Sequence, residues 1–115
     1  MKLEIVLEKI ETGFLLKFNG DVDMNTSAEA RDAFTDVFKQ GASGMKGILV
    51  DLSQVRYMDS SGIATLIEVM QNCRKKNVKL RLCALSAQVK DVFELARLAN
   101  VFEIYPTVEA ALIGW

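Results

Sequence analysis

Apolar and charged positions alternate in step through the first stretch of the chain. Leu3, Ile5 and Leu7 are interleaved with Glu4 and Glu8, and Phe14, Leu16 and Phe18 with Lys17 and Asn19. A repeat of two puts successive side chains on opposite faces of an extended strand, so this pattern predicts two half-buried strands joined near Thr12-Gly13. The period then lengthens. In GDVDMNTSAEARDAFTDVFKQGASG the apolar positions Ala30, Ala33, Phe34, Val37 and Phe38 fall at helical spacing. Asn25 or Thr26 is the expected N-cap of this helix, and Gly41 its end.

KGILVDL is a continuous apolar run of strand length, as expected for a central strand covered on both faces. It feeds Asp59-Ser60-Ser61-Gly62, after which Ile63, Leu66, Ile67, Met70 and Cys73 return at helical spacing until RKKN. Cations there suit the negative end of the helix dipole. VKLRLCAL predicts a further strand, and Ser86 caps a third helix bearing Val89, Val92, Phe93 and Ala96. VFEIY makes a short last strand, and TVEAALIG after Pro106 a closing helix. The order is ββαβαβαβα. Strands alternating with helices after a hairpin imply right-handed crossovers, hence an α/β domain whose mostly parallel central sheet carries an N-terminal antiparallel hairpin. The 115 residues make one domain, 1–115, expected to bury roughly 65% of the surface its unfolded chain exposes.

Composition narrows the chemistry. Half the residues are hydrophobic and a quarter charged, the make-up of a chain that folds on its own core. Fourteen basic against fifteen acidic side chains leave a net charge of -1, so no nucleic acid or anionic lipid is attracted by the domain as a whole. The basic cluster Arg74, Lys75, Lys76, Lys79 and Arg81 is expected to cover a helix C-terminus and the solvent face of the next strand, without interleaved aromatics for stacking bases. Cys73 and Cys83 lack metal-ligand spacing and are expected as reduced core thiols of a cytosolic protein. With no apolar h-region at the N-terminus and no uncharged apolar run of spanning length, the expectation is a cytoplasmic domain without membrane insertion.

Enzymatic motifs are missing from the sequence. There is no histidine, MDSSG lacks the first glycine of a G-x-S-x-G elbow, and neither phosphate-cradling glycine motif occurs. No catalytic residue, cofactor or metal is expected. Asp21 and Asp23 in NGDVDMN lack the alternating oxygen ligands of a calcium loop, and taken alone read as turn and cap residues. Asp59 to Gly62 has two readings. Asp59 or Ser60 satisfies the free N–H groups at the helix start while Gly62 permits close packing. Alternatively, those same N–H groups and the positive end of the dipole favour a phosphate attached in the first turn.

Taken together, GDVD, ILVDLSQVRYMDSSGIATLI, LRLCALSAQVKDVFELARLANVFEIY and TVEAAL resemble the STAS domain, specifically the stand-alone anti-sigma factor antagonists of bacteria. The resemblance covers nearly the whole chain in order, and MDSSG entering a helix after an apolar strand is its most specific part. It implies that the serine after the aspartate, Ser60, is phosphorylated by a partner anti-sigma factor that is also a serine kinase. A PP2C-type phosphatase would reverse this. A helical wheel drawn back from Ile63 instead turns Ser61 furthest from the core, so Asp59, Ser61 and Gly62 are kept as neighbours of the switch. The resemblance also aligns Asp21 and Asp23 with the family's acidic segment, expected near the serine. The expected contact face is the exposed side of the second helix, Thr65, Glu68 and Asn72, with the loop from Asp21 to Thr26, including Asn25, beside it. The implied function is capture of the kinase by the unphosphorylated domain and release by the phosphorylated one, with ATP belonging to the partner. Two other readings stand beside it: a STAS regulatory subunit of a membrane lipid-transport ABC system, and a partner kinase controlling something other than a sigma factor.

Overall fold

A tight turn at Glu11-Thr12 and three helical crossovers lay five strands side by side in chain order. The computed structural model describes residues 3–41 and 44–115. Its elements are β1 (Glu4–Ile10), β2 (Gly13–Asn19), α1 (Ser27–Gln40), β3 (Gly47–Gln54), α2 (Ser60–Lys75), β4 (Lys79–Cys83), α3 (Ala87–Leu95), β5 (Glu103–Tyr105) and α4 (Val108–Leu112). β1 and β2 pair antiparallel, and each later neighbour pairs parallel. This is the expected order and sheet, with β3 in the middle and buried from Gly47 to Leu52. Among the described residues no helix is long and apolar enough to cross a membrane.

The sheet's two faces are covered unequally. On one, Phe14, Leu16 and Phe18 of β2 and Ile48, Val50 and Leu52 of β3 pack with buried residues of α1, α2 and α3. Phe18 meets Phe34 of α1 with ring centroids 5.8 Å apart. On the other, Leu15, Leu49 and Cys83 are closed over by Ala111 of α4, with Ile10, Tyr105, Val108 and Trp115 around them. Gly47 has no Cβ at a point where the indole of Trp115 would collide with one. The hairpin therefore departs from the half-buried expectation in both directions. Leu15 of β2 is buried because α4 covers the second face, while Val6 and Leu7 of the edge strand β1 are exposed.

The same second layer corrects the expectation for Arg81. Alternation does turn it away from Leu80 and Leu82, but that face is not solvent, and Arg81 is only 6% exposed. Its Nη1 donates to the carbonyls of Ala111 (2.7 Å) and Ile113 (3.1 Å), and its Nε to Glu103 at 3.3 Å. The guanidinium lies 5.0 Å from the Tyr105 ring centroid and 4.8 Å from that of Trp115. Arg74, Lys75, Lys76 and Lys79 are exposed, as expected of a helix end and strand start. Ala96, expected on the inner face of α3, is instead its exposed C-cap. Arg97 takes a positive φ of 60° and the chain turns back, with the Leu98 N–H donating to the Phe93 carbonyl.

Cys73 and Cys83 are free and buried. Burial pushes the Cys73 thiol up to about 12. Cys83 is also pushed up to about 12, by burial first and then by the Asp51 and Glu109 carboxylates. A proton-holding thiol is a poor nucleophile, so both act as small apolar side chains.

Candidate partner-binding site at the start of the second helix

β3 ends at Gln54, and Val55 and Met58 dip into the core before the chain enters α2. Asp59 stands at the entrance in extended backbone, with φ -104° and ψ -170°. Its Oδ1 accepts from the N–H of Ser61 (2.9 Å) and of Gly62 (3.3 Å), and its carbonyl accepts from Ile63 at 3.1 Å. This is an aspartate N-cap, the side chain replacing the intrahelical acceptors that first-turn N–H groups lack. Of the two capping candidates, Asp59 is therefore the cap. Ser60 is the first helical residue, it is exposed, and its hydroxyl takes no part in these bonds.

Ser61 is half-buried and not the outermost residue. The wheel treats the sheet as the only cover of α2, but α1 packs alongside it. Thr65, one turn on from Ser61, is consequently only 1% exposed and donates its hydroxyl to the Ser61 carbonyl at 3.0 Å. Thr65 was expected on the exposed face; it is an interior residue of the α1–α2 packing and cannot belong to a contact surface. Glu68 is exposed, within 3.3 Å of Arg31 Nε on α1. Asn72 is half-buried at the far end of the helix.

Gly62 has a specific steric role. A Cβ there would sit 2.6 Å from the Val22 carbonyl oxygen and 2.6 Å from Met58 Cγ. Val22 bridges Met58 in parallel, its N–H donates to the Tyr57 carbonyl at 3.0 Å, and its carbonyl accepts from Asp59 at 3.2 Å. The close approach that glycine permits thus lays Val22, and with it the loop from Asp21 to Thr26, against the segment from Tyr57 to Gly62.

Asp23 organises that loop. Its Oδ1 accepts from the N–H groups of Asn25 (2.9 Å) and Thr26 (3.2 Å). Neither Asn25 nor Thr26 caps α1 with its side chain. Thr26 occupies the N-cap position, but its hydroxyl turns back, donating to the Asp21 carbonyl at 2.8 Å and accepting from the Asp23 N–H at 3.0 Å. Thr26 is 5% exposed, which removes it too from the expected contact face. Asp21 and Asp23 are half-buried and Asn25 is exposed.

Sequence reasoning passed over two apolar residues flanking this site. Met24 is 74% and Tyr57 53% exposed. Tyr57 lines a cleft of about 500 Å³ with Asp21, Arg56, Met58, Gln88 and Val92. The available signal was their placement, since each is an apolar residue outside the helical and strand periods.

The fold and this helix entrance place the chain among small α/β domains in which a serine follows an aspartate N-cap at the start of a helix. The STAS domain family model matches residues 4–111, and the chain belongs to that family. It is 27% identical over 117 residues to an anti-sigma-B factor antagonist of Listeria monocytogenes, covering 99% of this chain and 97% of the relative. The crystal structure of an anti-sigma factor antagonist from Mycobacterium paratuberculosis has the same fold, with a TM-score of 0.84 at 22% identity over 96% of this chain and 91% of that one. The phosphorylated form of SpoIIAA, a Bacillus cell fate determinant, superposes with a TM-score of 0.72 at 20% identity, covering 95% of this chain and 96% of that one.

Proposed function

We propose that this protein is an anti-sigma factor antagonist: a cytoplasmic binding domain, not an enzyme, switched by phosphorylation of Ser60. One observation carries the reading. Asp59 does the capping, so the exposed Ser60 hydroxyl has no structural duty at a helix end suited to an anion. The relatives named as anti-sigma factor antagonists supply the partner class. In this reading an anti-sigma factor with serine kinase activity binds the unphosphorylated surface around Ser60, Asp21, Asp23, Asn25 and Glu68, and a sigma factor is freed. The kinase's ATP then gives its γ-phosphoryl group to Ser60 Oγ, ADP leaves, and the serine proton passes to the partner. The new group carries about -1.5 to -2 charges, held close to Asp59 and the acidic loop. The positive end of the helix dipole makes it tolerable within the domain, while a partner surface fitted to a neutral hydroxyl rejects it by charge and bulk. A PP2C-type phosphatase restores the hydroxyl by hydrolysis.

The test is complex lifetime with each candidate anti-sigma kinase, with and without ATP. Wild type is expected to bind, take one phosphate on Ser60 and dissociate; Ser60→Ala is expected to bind and remain bound when ATP is added. Equal ATP-driven release from both proteins, or a phosphopeptide map placing the label on Ser61 alone, would remove Ser60 from the switch.

A further inference from the structure

We propose that Thr26 is the positioning residue of this surface, acting through the loop that it braces and touching no partner. The inference rests on the proposed function and adds what sets the shape of the acidic loop. Three features single out Thr26. It is buried although it lies in a loop of mostly polar residues. Its hydroxyl joins both acidic positions, donating to the Asp21 carbonyl at 2.8 Å and accepting from the Asp23 N–H at 3.0 Å. Finally, the residue between those two, Val22, is bonded on both sides of its peptide to the strand-to-helix segment, through Tyr57 and Asp59.

The brace therefore closes a small ring. Asp59 caps α2 and donates to Val22, while Val22 is flanked by Asp21 and Asp23, which Thr26 ties together at the start of α1. Asp23 reinforces it by accepting from the Thr26 N–H at 3.2 Å. A partner approaching Ser60 would meet Asp21, Asp23 and Met24 in an arrangement set by a hydroxyl it never reaches. Without that hydroxyl the Asp23 N–H and the Asp21 carbonyl would seek other partners, and the acidic residues would lose their fixed offset from Ser60.

The experiment compares Thr26→Val, which keeps the shape and loses the hydroxyl, with Thr26→Ser, which keeps the hydroxyl. Thr35→Val serves as control, because Thr35 also donates to a backbone carbonyl, that of Arg31, but from an exposed site. Amide exchange is read on the protein alone, and phosphorylation kinetics with an anti-sigma kinase that labels wild type. Thr26→Val is expected to speed exchange at Asp23 and Asn25 by about tenfold, with the amides of β3 unchanged. It should also raise KM for Ser60 labelling by a similar factor at constant kcat, the signature of lost binding and not of lost chemistry. Thr26→Ser and Thr35→Val should both behave as wild type. A Thr26→Val protein with wild-type KM overturns the inference alone. So does a Thr26→Ser protein as impaired as Thr26→Val, since the methyl packing would then be what matters, and so does faster exchange throughout β3. A wild type labelled by no anti-sigma kinase overturns the proposed function and this inference with it.

Discussion

Two helix ends in this molecule are closed by charged side chains, and they are closed for different purposes. At the start of α2, Asp59 accepts from the N–H groups of Ser61 and Gly62. At the end of α4, Arg81 donates to the carbonyls of Ala111 and Ile113. Both answer the same deficit, the unpaired backbone groups that every helix terminus leaves. They differ in cover. Asp59 is half-buried beside an exposed serine, whereas Arg81 is enclosed between the rings of Tyr105 and Trp115. α4 has only five residues, far too few to be helical unaided, so it depends on the side chains that pin it. A cap on a long helix can stand in the open and leave the first turn free for chemistry; a cap on a short one is needed for the helix to exist.

The largest expected effect breaks the buried member of the pair. Arg81→Ala removes two charge-assisted bonds to carbonyls together with the ring packing. The expected loss is about 3 kcal/mol in denaturant titration. The Glu103 contact adds little to this, since that carboxylate is about half in solvent. Amides of α4 should exchange first and Trp115 emission should shift red. Arg81→Lys should restore less than half of the loss, because a lysine cannot reproduce the planar fork. A loss below about 1 kcal/mol, the size of an ordinary exposed cap, would erase the distinction between the two ends.

The open member divides between neighbours. Asp59→Ala is expected to cost about 1 kcal/mol as a lost N-cap. Ser60→Ala should change stability by no more than about 0.5 kcal/mol, and Ser60→Asp by less than about 1 kcal/mol while weakening kinase binding. Equal losses from Asp59→Ala and Ser60→Ala in thermal melts would transfer the cap to the serine and take away the structural freedom on which its proposed role depends.

A separate effect appears only in alkali. Cys73 lies in the larger core and Cys83 beneath α4, and each thiol is pushed from an ordinary 9.0 up to about 12. The native state therefore holds these protons more tightly than the unfolded chain does. Their contribution is fully present below pH 9 and falls as the pH rises from 9 towards 12. Cys83→Ser should flatten part of that slope, as measured by denaturant midpoints across the range. A midpoint that rises with pH through this window would reverse the sign and refute the assignment.

Much of this organisation was legible along the chain. The change from a period of two to helical spacing marked both hairpin strands and the first three helices, the continuous run of β3 marked the central strand, and Asp59 and Gly62 stood in the positions their chemistry requires. Ser86 caps α3 as its place before the helix implied, accepting from Val89 at 3.3 Å. At the site, the pairing of the acidic loop with the helix entrance was anticipated through the family resemblance, while Met24 and Tyr57 were passed over because an isolated apolar residue in a loop carries no period to read.

The sequence by itself determined which elements form and in what order, since these depend on torsions and spacing within a few residues. Tertiary structure alone decided what lies in the direction each side chain takes. Thr65 and Arg81 both point away from the principal sheet contact, and both are buried, one through the packing of α1 beside α2 and the other under α4. Thr26 was expected to cap its own helix and instead bonds back across the loop. Periodicity is a property of one segment, whereas burial depends on a second segment arriving from elsewhere in the chain, and that is why α2 shows Ser60 to solvent and encloses Thr65.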